Sequence, residues 1–142
     1  MTQEMLEFVE ALDRRGARSL VIGGYALAFL GVPRYTKDLD LWVDAGEAVQ
    51  LLEAIRDFFG GDDLGLTVED LSTAGVVQLG YEPNWIDLVL LPEEDFEGAY
   101  ARSQVYSIDG IAVRVVSRED FVRLKRSFGR SLDLRDIEGL EP

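Results

Sequence analysis

The sequence predicts a mixed α/β (α+β) fold, a mixed central sheet with hairpins flanked by helices. Three observations carry this. Short apolar runs at residues 19–22, 39–43, 75–81 and 85–91 read as strands. Asp109-Gly110 lies between two further strand-like runs, which is a strong two-residue hairpin signal. Segments with apolar residues at helical spacing separate these runs. The hairpins disfavour a regular βαβ alternation, and with it a fully parallel Rossmann sheet.

Taken in order, Met5, Phe8, Val9 and Leu12 recur at helical spacing, and Gly16 can end that helix. Ser19 to Ile22 is a buried strand, broken by Gly23-Gly24. Tyr25 to Leu30 is a short helix stopped by Gly31 and Pro33. Leu39 to Val43 is a second strand. Asp44 with Glu47 forms a capping-box-like start to a helix whose apolar face is Val49, Leu52, Ile55 and Phe59. Gly60-Gly61-Asp62-Asp63 is a loop. Gly75 to Tyr81 and Trp85 to Leu91 make a hairpin around Glu82-Pro83-Asn84, and Glu93 to Arg102 is helical. Val105 to Ile108 and Ile111 to Val116 form the second hairpin. Ser117 caps a last long helix with Asp120 at its third position, and Asp133 caps a short terminal one.

The 142 residues fit one domain, 1–142, and 47% of them are hydrophobic, enough for a real core. No apolar run approaches the roughly 18–20 residues that span a bilayer, and Met1 to Glu10 lacks the basic start of a signal peptide. A cytoplasmic location is expected. The chain has neither cysteine nor histidine. Disulfides, thiolate or imidazole metal sites and Ser-His-Asp chemistry are therefore excluded. Any metal must be held by oxygen ligands, which suits Mg²⁺ or Mn²⁺. The formal net charge is −13, so a polyanion meets average repulsion and DNA is not an expected partner. Residues 114–135 are the exception. They carry Arg114, Arg118, Arg123, Lys125, Arg126, Arg130 and Arg135 against Glu119, Asp120 and Asp133, either as a solvated helix face or as a functional patch.

Three local signals bear on chemistry. In Asp38-Leu39-Asp40 on a strand, the two carboxylates share a face while Leu39 and Leu41 point to the core. Like charges so placed raise at least one pKa unless a cation neutralises them. Ile22-Gly23-Gly24-Tyr25 runs from strand to helix through bare backbone, which is either an ordinary turn or an anion site suited to phosphate. Asp87 interrupts the apolar run Trp85 to Val89. It lies on a solvated sheet face or joins a charged site, because a buried unpaired carboxylate is costly.

Together, Gly-Gly, thirteen residues, Asp-Leu-Asp and a later strand with a lone Asp resemble the nucleotidyltransferase superfamily, the polymerase-beta-like fold. Arg34-Tyr35-Thr36-Lys37-Asp38 is similar to the Arg-x-Thr-x-Asp lead-in of a bacterial branch. That branch holds minimal nucleotidyltransferases and toxin–antitoxin or phage-defence proteins. Leu124-Lys125-Arg126 through Gly129-Arg130 to Asp133-Leu134-Arg135-Asp136-Ile137 looks like its tail, so the likeness spans roughly residues 19–140.

The resemblance implies transfer of a nucleoside monophosphate from an NTP to a hydroxyl on protein, RNA or a small molecule, with two Mg²⁺ or Mn²⁺ ions held by Asp38, Asp40 and Asp87. It implies that Gly23 and Gly24 cradle phosphates and that Arg34, Lys37 and Lys125 face the remaining triphosphate charge. Lys125 alternatively faces solvent, and Thr36 is either a further nucleotide-binding residue or fixes the loop before the strand. Trp42 and Trp85 fit core packing better than base stacking. Many members carry Ser where Gly24 stands, and larger ones add a helical acceptor-binding domain that has little room here. The competing expectation is a partner-binding, antitoxin-like module with weak or lost catalysis, whose acidic surface masks a basic partner protein.

Overall fold

The computed structural model describes residues 1–32 and 36–128, with Phe128 described by its backbone alone. Helix α1 (Gln3–Arg14) is capped by Thr2, whose hydroxyl accepts from the Met5 N–H. It buries Met5, Leu6, Phe8, Val9 and Leu12. Strand β1 (Ser19–Ile22) follows and passes straight into α2 (Gly23–Phe29), which begins two residues earlier than the sequence suggests.

Strand β2 (Leu39–Val43) leads to a 3-10 turn at Ala45–Glu47 and then α3 (Ala48–Phe58). This junction differs from the expected capping box. Asp44 accepts from the Gly46 N–H, but Glu47 turns away from it to take the backbone N–H and Nε of Arg18 at 2.9 and 2.8 Å. Of the expected apolar face Leu52 and Ile55 are buried but Val49 is exposed, and Ala48, Leu51 and Ala54 complete the buried face.

The two hairpins form as expected. Strands β3 (Gly75–Leu79) and β4 (Ile86–Leu90) pair antiparallel, joined by a loop with a cis Glu82-Pro83 bond. Helix α4 (Phe96–Arg102) is capped by Asp95, which accepts from the Gly98 N–H. Strands β5 (Gln104–Ile108) and β6 (Ile111–Val115) close around Asp109 and Gly110, both at positive φ, as a type I′ turn demands. Helix α5 (Arg118–Phe128) starts at Ser117, whose Oγ accepts from the Asp120 N–H at 3.1 Å. The helix expected after Asp133 lies outside the described residues.

The six strands form one mixed sheet in the order β3-β4-β2-β1-β6-β5. Strand β1 is antiparallel to β2 and parallel to β6, while β2 and β4 run parallel. Strands β1, β2 and β4 are nearly all apolar and buried, whereas β6 buries only Val113 and Val115. Trp42 is fully buried and meets Phe96 edge-on at 5.4 Å, so packing, not base stacking, accounts for it. Arg18 ties the far end of β1 to its surroundings, pairing with Asp44, Glu47 and Glu97. No helix among the described residues is long and apolar enough to cross a membrane.

Candidate active site at the strand ends

Strand register assembles the centre. Ile22 pairs with Asp40 across β1 and β2, and Asp40 pairs with Asp87 across β2 and β4. The Gly-Gly turn, Asp40 and Asp87 thus converge at one edge, although they lie far apart in sequence. Both strands bury a leucine or isoleucine on each side of the aspartate, Leu39 and Leu41 in one and Ile86 and Leu88 in the other. Alternation then leaves the two carboxylates on the shared opposite face.

Gly23 enters α2 at φ +69°, and a Cβ built on it would collide with the Asp40 carboxylate. The backbone at Gly23 therefore lies directly against that carboxylate. The next residue is equally confined. A Cβ on Gly24 would fall 2.8 Å from Thr36 Oγ1 and 2.9 Å from Thr36 Cβ. Thr36 Oγ1 in turn donates to the Asp38 carbonyl at 3.3 Å, so it does fix the lead-in to β2. Nothing in the sequence pattern signals this Gly24–Thr36 contact, because twelve residues separate them.

The electrostatics of the pair are those of crowded like charges. Burial, then the charge of Asp87 and a hydrogen bond with it, push the Asp40 carboxyl up to about 7, with Asp38 adding and the Lys125 ammonium opposing. Oδ1 of Asp87 is buried without a hydrogen-bond partner. An orphaned carboxylate oxygen beside a carboxyl of raised pKa is an arrangement that a cation with oxygen ligands would relieve. Hard divalent ions fit that donor set.

Asp38 immediately precedes β2, which begins at Leu39, and its charge adds to the upward push on the Asp40 carboxyl. Among the described residues no group of three or more carboxylates is clustered closely enough to hold a metal ion as it stands. Lys125 comes from α5, with its ammonium 5.7 Å from the centre of the Phe121 ring and its charge felt at Asp40. Lys37 is exposed, with Nζ 3.9 Å from Glu82. Arg34 lies outside the described residues, as do Arg130 and Arg135 of the basic stretch. Within that stretch, Arg123 is engaged by Glu94 and Asp120, and the Arg114 guanidinium sits 4.5 Å over the Tyr100 ring.

Comparison with known proteins gives the family and the fold. The family described as "Nucleotidyl transferase of unknown function (DUF2204)" matches residues 1–141. No curated protein matches. Three solved structures share the fold. An antigenic nucleotidyltransferase-like protein from Paracoccidioides brasiliensis is 18% identical with a TM-score of 0.60, over 96% of this chain and 72% of that one. A candidate nucleotidyltransferase from Thermotoga maritima is 16% identical with a TM-score of 0.61, over 94% and 87%. A lincosamide antibiotic adenylyltransferase with lincomycin bound is 13% identical with a TM-score of 0.58, over 99% and 96%. At these identities the three structures establish the fold alone.

Proposed function

The chain belongs to that nucleotidyl transferase family, and from this premise we propose that it transfers a nucleoside monophosphate from an NTP to a hydroxyl acceptor at the Asp40–Asp87 edge. The observation that carries the proposal is the register pairing of Asp40 with Asp87, with Gly23 pressed against Asp40 so closely that no side chain fits. A turn of bare backbone beside two carboxylates is what a triphosphate with its counter-ions needs.

Asp40 and Asp87 would hold a divalent ion, with Asp38 closing in once its charge is no longer opposed. When bound, Mg²⁺ or Mn²⁺ would neutralise the triphosphate and polarise the α-phosphoryl group. The chain's own groups do the rest. Gly23 and Gly24 present the first-turn N–H groups of α2, which lack partners within the helix, to phosphate oxygens. Lys125 and Lys37 face the remaining negative charge, with Arg34 the further cation that the resemblance implies, and Thr36 keeps the Gly24 backbone in place. The acceptor hydroxyl loses its proton to a carboxylate oxygen of Asp87. Its oxygen forms a bond to the α-phosphorus as the bond to the β-phosphate oxygen breaks, and pyrophosphate leaves. The acceptor is a protein, an RNA or a small molecule.

A second reading has one observation in its favour. The described residues form no closed three-carboxylate cluster, which suits a module that binds a partner protein, antitoxin-like, with catalysis weakened. Label transfer separates the two. Protein with Mg²⁺, each α-phosphorus-labelled NTP and cell extract should label a macromolecule or metabolite, and Asp40→Asn should abolish the labelling. No transfer with any NTP, alongside partner binding that Asp40→Asn leaves intact, would establish the module instead.

A further inference from the structure

Asp120 is the one buried charged residue among those described, at 3% exposure, and the transfer reaction as derived above makes no use of it. Its carboxylate is fully engaged. Arg102, the last residue of α4, donates to it through Nε and Nη2, both at 2.9 Å. The Ser117 hydroxyl donates at 2.9 Å, and Arg123 approaches at 3.4 Å while also binding Glu94 at 2.6 Å. Burial alone would raise the Asp120 carboxyl, but Arg102, Ser117 and Arg123 hold it below its ordinary value. A side-on bidentate arginine fixes direction as well as distance. The cluster therefore fastens the first turn of α5 to the end of α4.

What α5 carries is Lys125. Five residues beyond Asp120, it lies about 7.5 Å further along the axis and well round the helix. Between them Phe121 and Leu124 are buried in the core, which fixes the rotation of the helix. We infer that Asp120, clamped by Arg102, is a positioning residue that sets where α5 delivers the Lys125 ammonium relative to the Asp40–Asp87 edge. Two observations support this: the Lys125 charge reaches Asp40, and Lys125 is half-buried with its ammonium 5.7 Å from the centre of the Phe121 ring. A rigid helix anchored at one end transmits a displacement of its first turn to a residue on its second. The inference rests on the transferase reading of the site, and it assigns to a remote ion-pair cluster the alignment of one phosphate-facing charge.

The test is a double-mutant cycle read by nucleotide binding. ATP, GTP, CTP and UTP, each with Mg²⁺, are titrated into the full chain by calorimetry, and the tightest is carried forward. Asp120→Asn, Arg102→Gln and Lys125→Met should each weaken binding about fivefold, since small misplacements of a binding group are costly. In the Lys125→Met background, Asp120→Asn should have no further effect. Arg102→Gln leaves Asp120 with Ser117 and Arg123, so it reports even where Asp120→Asn fails to fold. Equal weakening by Arg102→Gln with and without Lys125 would overturn the inference, as would wild-type affinity in the folded single variants. If wild type binds no NTP, the transferase reading fails and takes this inference with it. If wild type binds and only the coupling is missing, the transferase reading survives and the clamp is structural.

Discussion

A methyl group on Gly23 has nowhere to go. The backbone there is in the left-handed region, and the Cβ direction points into the Asp40 carboxylate. Gly23→Ala should therefore destabilise the protein by about 2 kcal/mol or more, combining the φ cost with the collision, as read from urea unfolding. It should also weaken NTP binding. The Asp40 carboxyl makes a second, separable prediction. Its pKa is about 7 in the fold against an ordinary 3.8, so between those values the folded chain holds a proton that the unfolded chain has lost. The stabilising contribution of this carboxyl is complete below about pH 4 and is lost as pH rises through 7. In EDTA, the melting temperature of wild type should fall from pH 5 to pH 8 more steeply than that of Asp40→Asn. Parallel curves would show that burial and the neighbouring Asp87 do not raise the Asp40 carboxyl as the geometry implies.

At the scale of elements, the strands and the Asp109-Gly110 hairpin follow from local chemistry alone, because turn geometry and alternation act over a few residues. Replacing Gly110, at φ +80°, by alanine should cost about 1 kcal/mol and leave the fold intact. The start of α3 shows where local reading stops. Glu47 has the spacing of a capping box with Asp44, yet the Arg18 guanidinium, 29 residues earlier, captures it. On the helix that follows, Leu52 and Ile55 are buried, but Val49, apolar and at helical spacing, faces water. The same arginine also meets Asp44 and Glu97. Arg18→Met should thus leave several carboxylates uncompensated and destabilise the protein by about 2 kcal/mol, measured by thermal or urea unfolding.

For the whole molecule, a charge of −13 and a crowded carboxylate pair act in the same direction. Both oppose the metal-free folded state, and both are eased by cations. Millimolar Mg²⁺ with NTP should raise the melting temperature through binding linkage, and the rise should shrink in Asp87→Asn, which removes the carboxylate charge. An equal rise in that variant would mean that the ions act on the general surface charge and not at the Asp40–Asp87 edge.

The sequence by itself determined the elements, their mixed α/β character, and the residue types from which a site could be built. Without histidine or cysteine only oxygen ligands remain, and Asp-Leu-Asp, Gly-Gly and an aspartate in an apolar strand stand out against their neighbours. These are properties of composition and short spacing, fixed by covalent order. Only the tertiary structure decided which of them meet. The parallel register of β2 and β4 sets Asp40 beside Asp87, and the β1–β2 register brings Gly23 to Asp40, while Asp38 stays ahead of the strand. Pairing across 47 residues depends on how the whole sheet buries its apolar faces. A one-residue slip would turn Asp40 into the core and Leu41 out, so the global burial of leucine and isoleucine places the carboxylates.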